Sequence, residues 1–148
     1  MRIMNDLYDV CIAIPALNEE KSILNVINSL ISGVSKVNIS QIIVADGGSC
    51  DLTKDIVFNL SLSDCRVKLI ENPLRIQSHG LNEILRYCTA DIILRADAHC
   101  IYDKGYVDRC VLALIDSGAR NVGGCQRFIA NSNFTAGIAI ASVSFLGN

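Results

Sequence analysis

Two acidic clusters stand directly after β-branched runs in this chain. Gln41-Ile42-Ile43-Val44-Ala45 leads into Asp46-Gly47-Gly48-Ser49, and Asp91-Ile92-Ile93-Leu94-Arg95 leads into Ala96-Asp97-Ala98-His99. Carboxylates at the carboxyl ends of parallel strands converge on whatever occupies the crevice there. The chemistry that suits such a pair is a nucleotide held together with a divalent metal ion.

Each cluster has its own capability. The glycines after Asp46 let backbone approach a ligand, and the Asp46 carboxylate can accept a hydrogen bond from a ring N–H such as that of uracil or guanine. The alternative is an Asx-type turn in which Ser49 or Asp51 caps the following helix. Asp97 and His99, two residues apart in an extended chain, point to one side. A carboxylate, an imidazole and diphosphate oxygens together fill the shell of a hard cation such as Mg²⁺ or Mn²⁺. The alternative pairs Asp97 with Arg95 in a solvated turn and leaves His99 as an ordinary polar residue. Pro15-Ala16-Leu17-Asn18-Glu19-Glu20 adds backbone donors, an amide and carboxylates after the first strand. Glu19 faces either a ribose or base, or simply the helix N-terminus. Arg75 and His79, around Pro73, offer phosphate contacts or plain loop solvation.

The elements that must position these residues alternate. Strand-like runs cover Val10–Ile14, Gln41–Ala45, Val67–Ile70, Asp91–Leu94 and Asn121–Cys125, and between them apolar residues recur at helical spacing, as in Ile23, Leu24, Ile27, Leu30 and Ile31. Strand alternating with helix predicts a mostly parallel sheet with helices on both faces, and the near-continuous apolar strands fit a sheet buried on both sides. Asn18-Glu19-Glu20 and Ser49 to Thr53 read as helix starts.

The 148 residues suffice for one domain, and a 51% hydrophobic composition supplies a core. A net charge of -2, with Lys and Arg scattered, argues against nucleic acid as a partner. Seven cysteines without a C-x-x-C pair suggest neither a disulfide framework nor a zinc cluster. No apolar run approaches the roughly 20 residues needed to span a bilayer, so the chain is expected to be cytoplasmic. The tract from Phe134 to Leu146 reads as core packing, with contact to a membrane surface as the alternative.

Taken together, the segments resemble the family 2 glycosyltransferases. Ile12 to Glu20 is similar to that family's first strand and loop, and Ile43 to Thr53 to its nucleotide-binding loop. Asn72-Pro73, Gly80-Leu81-Asn82 and Leu94-Arg95-Ala96-Asp97-Ala98-His99 follow in the family's order. The resemblance implies the GT-A fold, a Rossmann-like α/β sheet, and a nucleotide-sugar donor, usually a UDP-sugar. It implies that Asp46 holds the base and that Pro15, Leu17, Asn18, Glu19, Gly48, Arg75, His79, Arg95 and Ala96 complete the nucleotide site. Asp97 becomes the second acid of the metal-binding D-x-D element, assisted by His99, with Mg²⁺ or Mn²⁺ as the cofactor. Arg95 replaces the first acid, as in the subgroup resembling bacterial exopolysaccharide and O-antigen transferases.

The family's general base comes from a later segment, and no Asp or Glu follows Asp116 here. Residues 1–148 are therefore expected to be the donor-binding part of a longer enzyme, with the base, the acceptor half and any membrane-associating segment beyond Asn148. The expected acceptor is a saccharide or a lipid-linked sugar, at the inner face of the membrane, with self-association left open. The rival readings are a non-catalytic nucleotide-binding fragment and a nucleotidyltransferase. The latter needs a Gly-rich, basic loop after the first strand, and Pro15 to Glu20 is acidic.

Overall fold

The computed structural model describes residues 8–124. The chain divides into two compact units, Met1–Gly118 and Ala119–Asn148, and every described helix and strand lies in the first. Four strands, β1 (Asp9–Ala16), β2 (Asn38–Asp46), β3 (Val67–Glu71) and β4 (Ile92–Arg95), alternate with α1 (Ile23–Ile31), α2 (Thr53–Ser63), α3 (Gln77–Tyr87) and α4 (Tyr106–Ser117). The sheet order is β3-β2-β1-β4, with all three pairings parallel. The expected α/β sheet is present.

Burial on both faces explains the apolar strands. Val10, Ile12 and Ile14 of β1 turn to one side, where they meet Ile23, Val26, Ile27 and Leu30 of α1, Val57 of α2, and Val107 and Val111 of α4. Cys11 and Ala13 turn to the other side, against Ile43, Ala45 and Ile84 of α3. The period-two alternation of a strand thus serves two separate cores. Small residues at Ala13 and Ala45 let α3 approach closely.

The strand expected at Asn121–Cys125 is not formed over its described part. Residues 121–124 carry no helix or strand, as suits a segment in which Gly123 and Gly124 offer no side chain to pack on a sheet. Cys125 and the tract from Phe134 to Leu146 lie outside the described residues. Among the described residues no helix is long and apolar enough to cross a membrane.

The expected helix starts also shift. α1 begins after Ser22, and the Ser22 and Ile23 N–H groups bond to the Glu19 carbonyl, so the Asn18 side chain is not its cap. Asn18 reaches across to the next loop instead.

Candidate functional site

Because all strands run parallel, the loops after β1, β2, β3 and β4 open at one edge of the sheet. The chain direction across that edge reverses between β1, which continues to β2, and β4, which pairs with the other side of β1. A crevice at such a switch point is where open α/β sheets bind ligands. A cleft opens there, lined by Pro15, Ala16, Leu17 and Glu19 from the β1 loop and Gly47 from the β2 loop. Asn72, Arg75 and Gln77 line it from the β3–α3 turn, and Asp97, Ala98 and His99 from the β4 turn.

The β1 and β2 loops are zipped together by reciprocal bonds. The Asn18 N–H donates to Ser49 Oγ at 2.9 Å, and the Cys50 N–H donates to Asn18 Oδ1 at 2.9 Å. Glu20 N–H donates to Asp51 Oδ2 and Leu52 N–H to Glu20 Oε2, each at 3.0 Å, while Glu19 N–H donates to Thr53 Oγ1 at 2.7 Å. Backbone donors that a loop would otherwise leave to water are satisfied by a side chain from the other loop. Burial alone raises the Asp51 carboxyl. The Thr53 hydroxyl and N–H and the Glu20 N–H outweigh it and hold the group below the usual carboxylate range.

Asp46 is 3% exposed and spends its carboxylate on its own loop. Oδ2 accepts the N–H groups of Gly48 and Ser49 at 2.8 and 3.0 Å, and Oδ1 accepts the Ser49 hydroxyl. Lys54 Nζ stands 3.5 Å away. An Asx-type turn is formed here at Asp46 itself; of the two caps weighed with it from the sequence, the Ser49 hydroxyl serves Asp46 instead, and Asp51 Oδ1 accepts the Thr53 N–H at 3.0 Å. Asp46 does not itself line the cleft, whereas the neighbouring Gly47 does.

Gly48 has φ +80, and a Cβ there would meet the Arg75 guanidinium at 3.4 Å. Arg75 itself has φ 57, as does Asn18. Two non-glycine residues in the left-handed region beside one cleft are the kind of local strain that surrounding structure must over-determine. For Arg75 that support is Asn72, 3% exposed, whose carbonyl accepts the Arg75 N–H at 3.0 Å. Asn72 also takes the Asp46 carbonyl through its own N–H at 2.7 Å, and its Nδ2 donates to the Ile76 carbonyl at 3.1 Å. Gly80 of α3 lies so close that a Cβ would stand 2.9 Å from Asn72 Nδ2.

His79 sits 2.8 Å from Asn72 Oδ1 and 3.5 Å from Glu83, so it braces the Asn72 turn from behind and does not line the cleft. Arg95 and Ala96 do not line it either. Ala96 is buried in the core, its N–H on the Ala13 carbonyl. Arg95 extends outward and bonds Asp97 Oδ1 at 3.1 Å, the pairing weighed as the alternative for Asp97.

Asp97 Oδ1 also accepts Gln77 Nε2 at 3.1 Å. His99 meets Glu19, its Nδ1 3.2 Å from Oε1. Among the described residues no three His, Cys, Asp or Glu side chains come together closely enough to hold a metal ion by themselves. The donor set is nevertheless of the right kind, an oxygen donor at Asp97 and a nitrogen donor at His99 on one cleft wall. It fits a partial shell that ligand oxygens complete.

Gln77 and Tyr102 are site residues that the sequence does not single out, and Asn72 stands in it only as part of the Asn72-Pro73 motif. Their roles depend on bonds to Asp97, to the Asp97 backbone and to Asp46, which only the fold brings near.

A parallel sheet with a cleft at its switch point, lined by Glu19, Arg75, Asp97 and His99, is the architecture of open α/β proteins that bind ligands at that edge. The Glycosyl transferase family 2 model matches residues 11–143, and the chain belongs to that family. It is 36% identical over 139 residues to the succinoglycan biosynthesis protein ExoA of Rhizobium meliloti, a match covering 93% of this chain and 42% of that protein. The chain thus spans less than half the length of that relative.

Solved structures agree on the fold. The mannosyltransferase PcManGT of Pyrobaculum calidifontis, in complex with GDP-Man and Mn²⁺, superposes with a TM-score of 0.65 at 20% identity, over 85% of this chain and 39% of that one. TarS of S. aureus with UDP-GlcNAc gives 0.59 at 16% identity, over 82% and 38%. Glucosyl-3-phosphoglycerate synthase of Mycobacterium tuberculosis with UDP gives 0.59 at 24% identity, over 73% and 40%. The expected GT-A fold is the one these glycosyltransferases share with this chain.

Proposed function

We propose that residues 1–148 form the donor-binding part of a glycosyltransferase that moves a sugar from a nucleotide diphosphate, a UDP-sugar, to a saccharide or lipid-linked acceptor in surface polysaccharide synthesis. The observation that carries this reading is the convergence of Glu19, Arg75, Asp97 and His99 on one cleft at the switch point of the sheet. Membership of family 2 and the relative named for succinoglycan biosynthesis support the substrate class.

In this reading the Gly47–Ser49 turn receives the nucleoside, and Asp46 contributes by holding that turn from beneath. Arg75, fixed over Gly48 by the Asn72 turn, presents its guanidinium to diphosphate oxygens, a planar donor matched to them. Pro15 and Leu17 form the wall on the β1 side, with Asn18 closing the loop behind. Asp97 and His99 hold the divalent cation together with the diphosphate, and that cation supplies charge neutralisation on the leaving group. The carboxylate that activates the acceptor hydroxyl belongs to the family's later segment.

Calorimetry of the chain with UDP, GDP and ADP in the presence of Mn²⁺ tests the donor class. Tighter binding of UDP is expected. Equal binding of all three leaves a generic diphosphate site and removes the UDP assignment.

A further inference from the structure

We infer that Tyr102 is the positioning residue for Asp97, its hydroxyl fixing the backbone from which the carboxylate is aimed into the cleft; this rests on the donor-binding reading above. The β4 ladder ends at the Ala96 N–H, which bonds the Ala13 carbonyl at 2.9 Å. Cys100 N–H then closes a turn onto the Asp97 carbonyl at 3.3 Å. Between these two bonds the Asp97 N–H is left outside the ladder, and the Tyr102 hydroxyl accepts it at 2.8 Å.

That hydroxyl is itself well anchored. The Tyr102 ring lies 5.0 Å from the ring of Tyr106, tilted by 54°. Tyr106 opens α4, whose Val107 and Val111 are buried in the main core. The chain of support therefore runs from the core through α4 and two aromatic rings to one backbone N–H. Burial first of all, with the neighbouring Cys100 and Asp97 adding to it, pushes the Tyr102 phenol well above the usual tyrosine range against the opposing Asp97 hydrogen bond.

The consequence is control of a carboxylate from both ends. Gln77 and Arg95 hold Oδ1 of the side chain, while Tyr102 holds the backbone. Ala98, 2% exposed, locks the turn inward, and His99 follows on its outer side. One hydroxyl thus fixes the backbone of Asp97, one of the two residues proposed to meet the cation. Partners of this kind, one step removed from a metal, are typically worth roughly 10–100-fold in metal affinity.

The test is Tyr102→Phe, which keeps both rings and deletes only the hydroxyl, the group that accepts the Asp97 N–H and reaches the Asp97 carbonyl at 3.5 Å. Two readouts are needed. By NMR, hydrogen exchange of the Asp97 amide should accelerate in the variant while that of Ala96 is unchanged. In UDP titrations, the Mn²⁺ concentration for half-maximal binding should rise roughly 10–100-fold, with UDP affinity in EDTA unchanged. An unaltered Asp97 amide, an unaltered Mn²⁺ dependence, or an equal loss with and without metal overturns the assignment. If the unsubstituted chain itself shows no Mn²⁺-dependent UDP binding, the donor reading fails. The exchange comparison still decides whether Tyr102 holds Asp97.

Discussion

Nδ1 of His99 lies 3.2 Å from Oε1 of Glu19, and the second carboxylate oxygen of Glu19 accepts the Ser22 hydroxyl at 2.7 Å. The β4 turn is thereby tied to the β1 loop and to the entrance of α1 across the cleft. A carboxylate that takes the N–H of one imidazole nitrogen fixes the tautomer and leaves the other nitrogen for a ligand. Glu19→Ala is expected to weaken Mn²⁺-dependent UDP binding roughly 10-fold, and Glu19→Gln, which keeps an acceptor oxygen, to weaken it less. Mn²⁺ titrations at fixed UDP measure both. Identical curves for all three proteins would mean that Glu19 does not act through His99.

Asp46 is expected to matter for stability before it matters for binding. Asp46→Ala removes the buried acceptor of two backbone N–H groups and a hydroxyl on the half-buried Gly48 and Ser49, a loss of up to about 1–3 kcal/mol for each donor that water does not reach. Asp46→Asn keeps one acceptor oxygen and should lose less. Urea unfolding separates them, and a fully stable alanine variant would show that the Asx turn is dispensable.

Gly80 inverts the usual helix rule. Replacing a helical glycine by alanine ordinarily gains about 1 kcal/mol. Here the new Cβ would stand 2.9 Å from Asn72 Nδ2 and 3.4 Å from the Ala45 Cβ. Asn72 is held by Ile76 and His79, so it cannot yield without disturbing the turn that carries Arg75. Gly80→Ala should therefore lower the melting temperature and weaken UDP binding together; a rise in melting temperature would refute the close fit.

The loop zipper carries a pH signature. Asp51 is held below its ordinary value, 3.8, when folded, because the Thr53 and Glu20 hydrogen bonds outweigh its burial. A depressed carboxyl contributes stability that is present above the unfolded value and lost as pH falls through the folded one. The stability gap between the unsubstituted chain and Asp51→Asn should persist at pH 6 and shrink as pH drops below about 3.8. A gap independent of pH would place the effect elsewhere.

Much of this was legible in the residues, for identifiable reasons. The runs at Val10–Ile14 and Gln41–Ala45 are apolar at every position because each face of the sheet has its own core, and that pattern read correctly as parallel strands. Asp97 and His99 fell on the cleft because they end a strand beside the switch point. The rest depended on pairings between residues distant in sequence. Asn18 reads as a cap for α1, yet its amide oxygen accepts the Cys50 N–H from the β2 loop. His79 reads as a phosphate contact and Arg95 as part of the nucleotide site, yet they meet Asn72 and Asp97. Over the described residues 121–124, an apolar tint was not enough to make a strand across the two glycines.

The most direct test of the donor-binding account is calorimetry of UDP with the unsubstituted chain and with Asp97→Asn, each with Mn²⁺ and with EDTA. The account predicts binding that strengthens with Mn²⁺ in the unsubstituted chain and loses that strengthening in Asp97→Asn, the weak metal-free affinity being alike in both. A Mn²⁺ dependence that survives Asp97→Asn intact would contradict it.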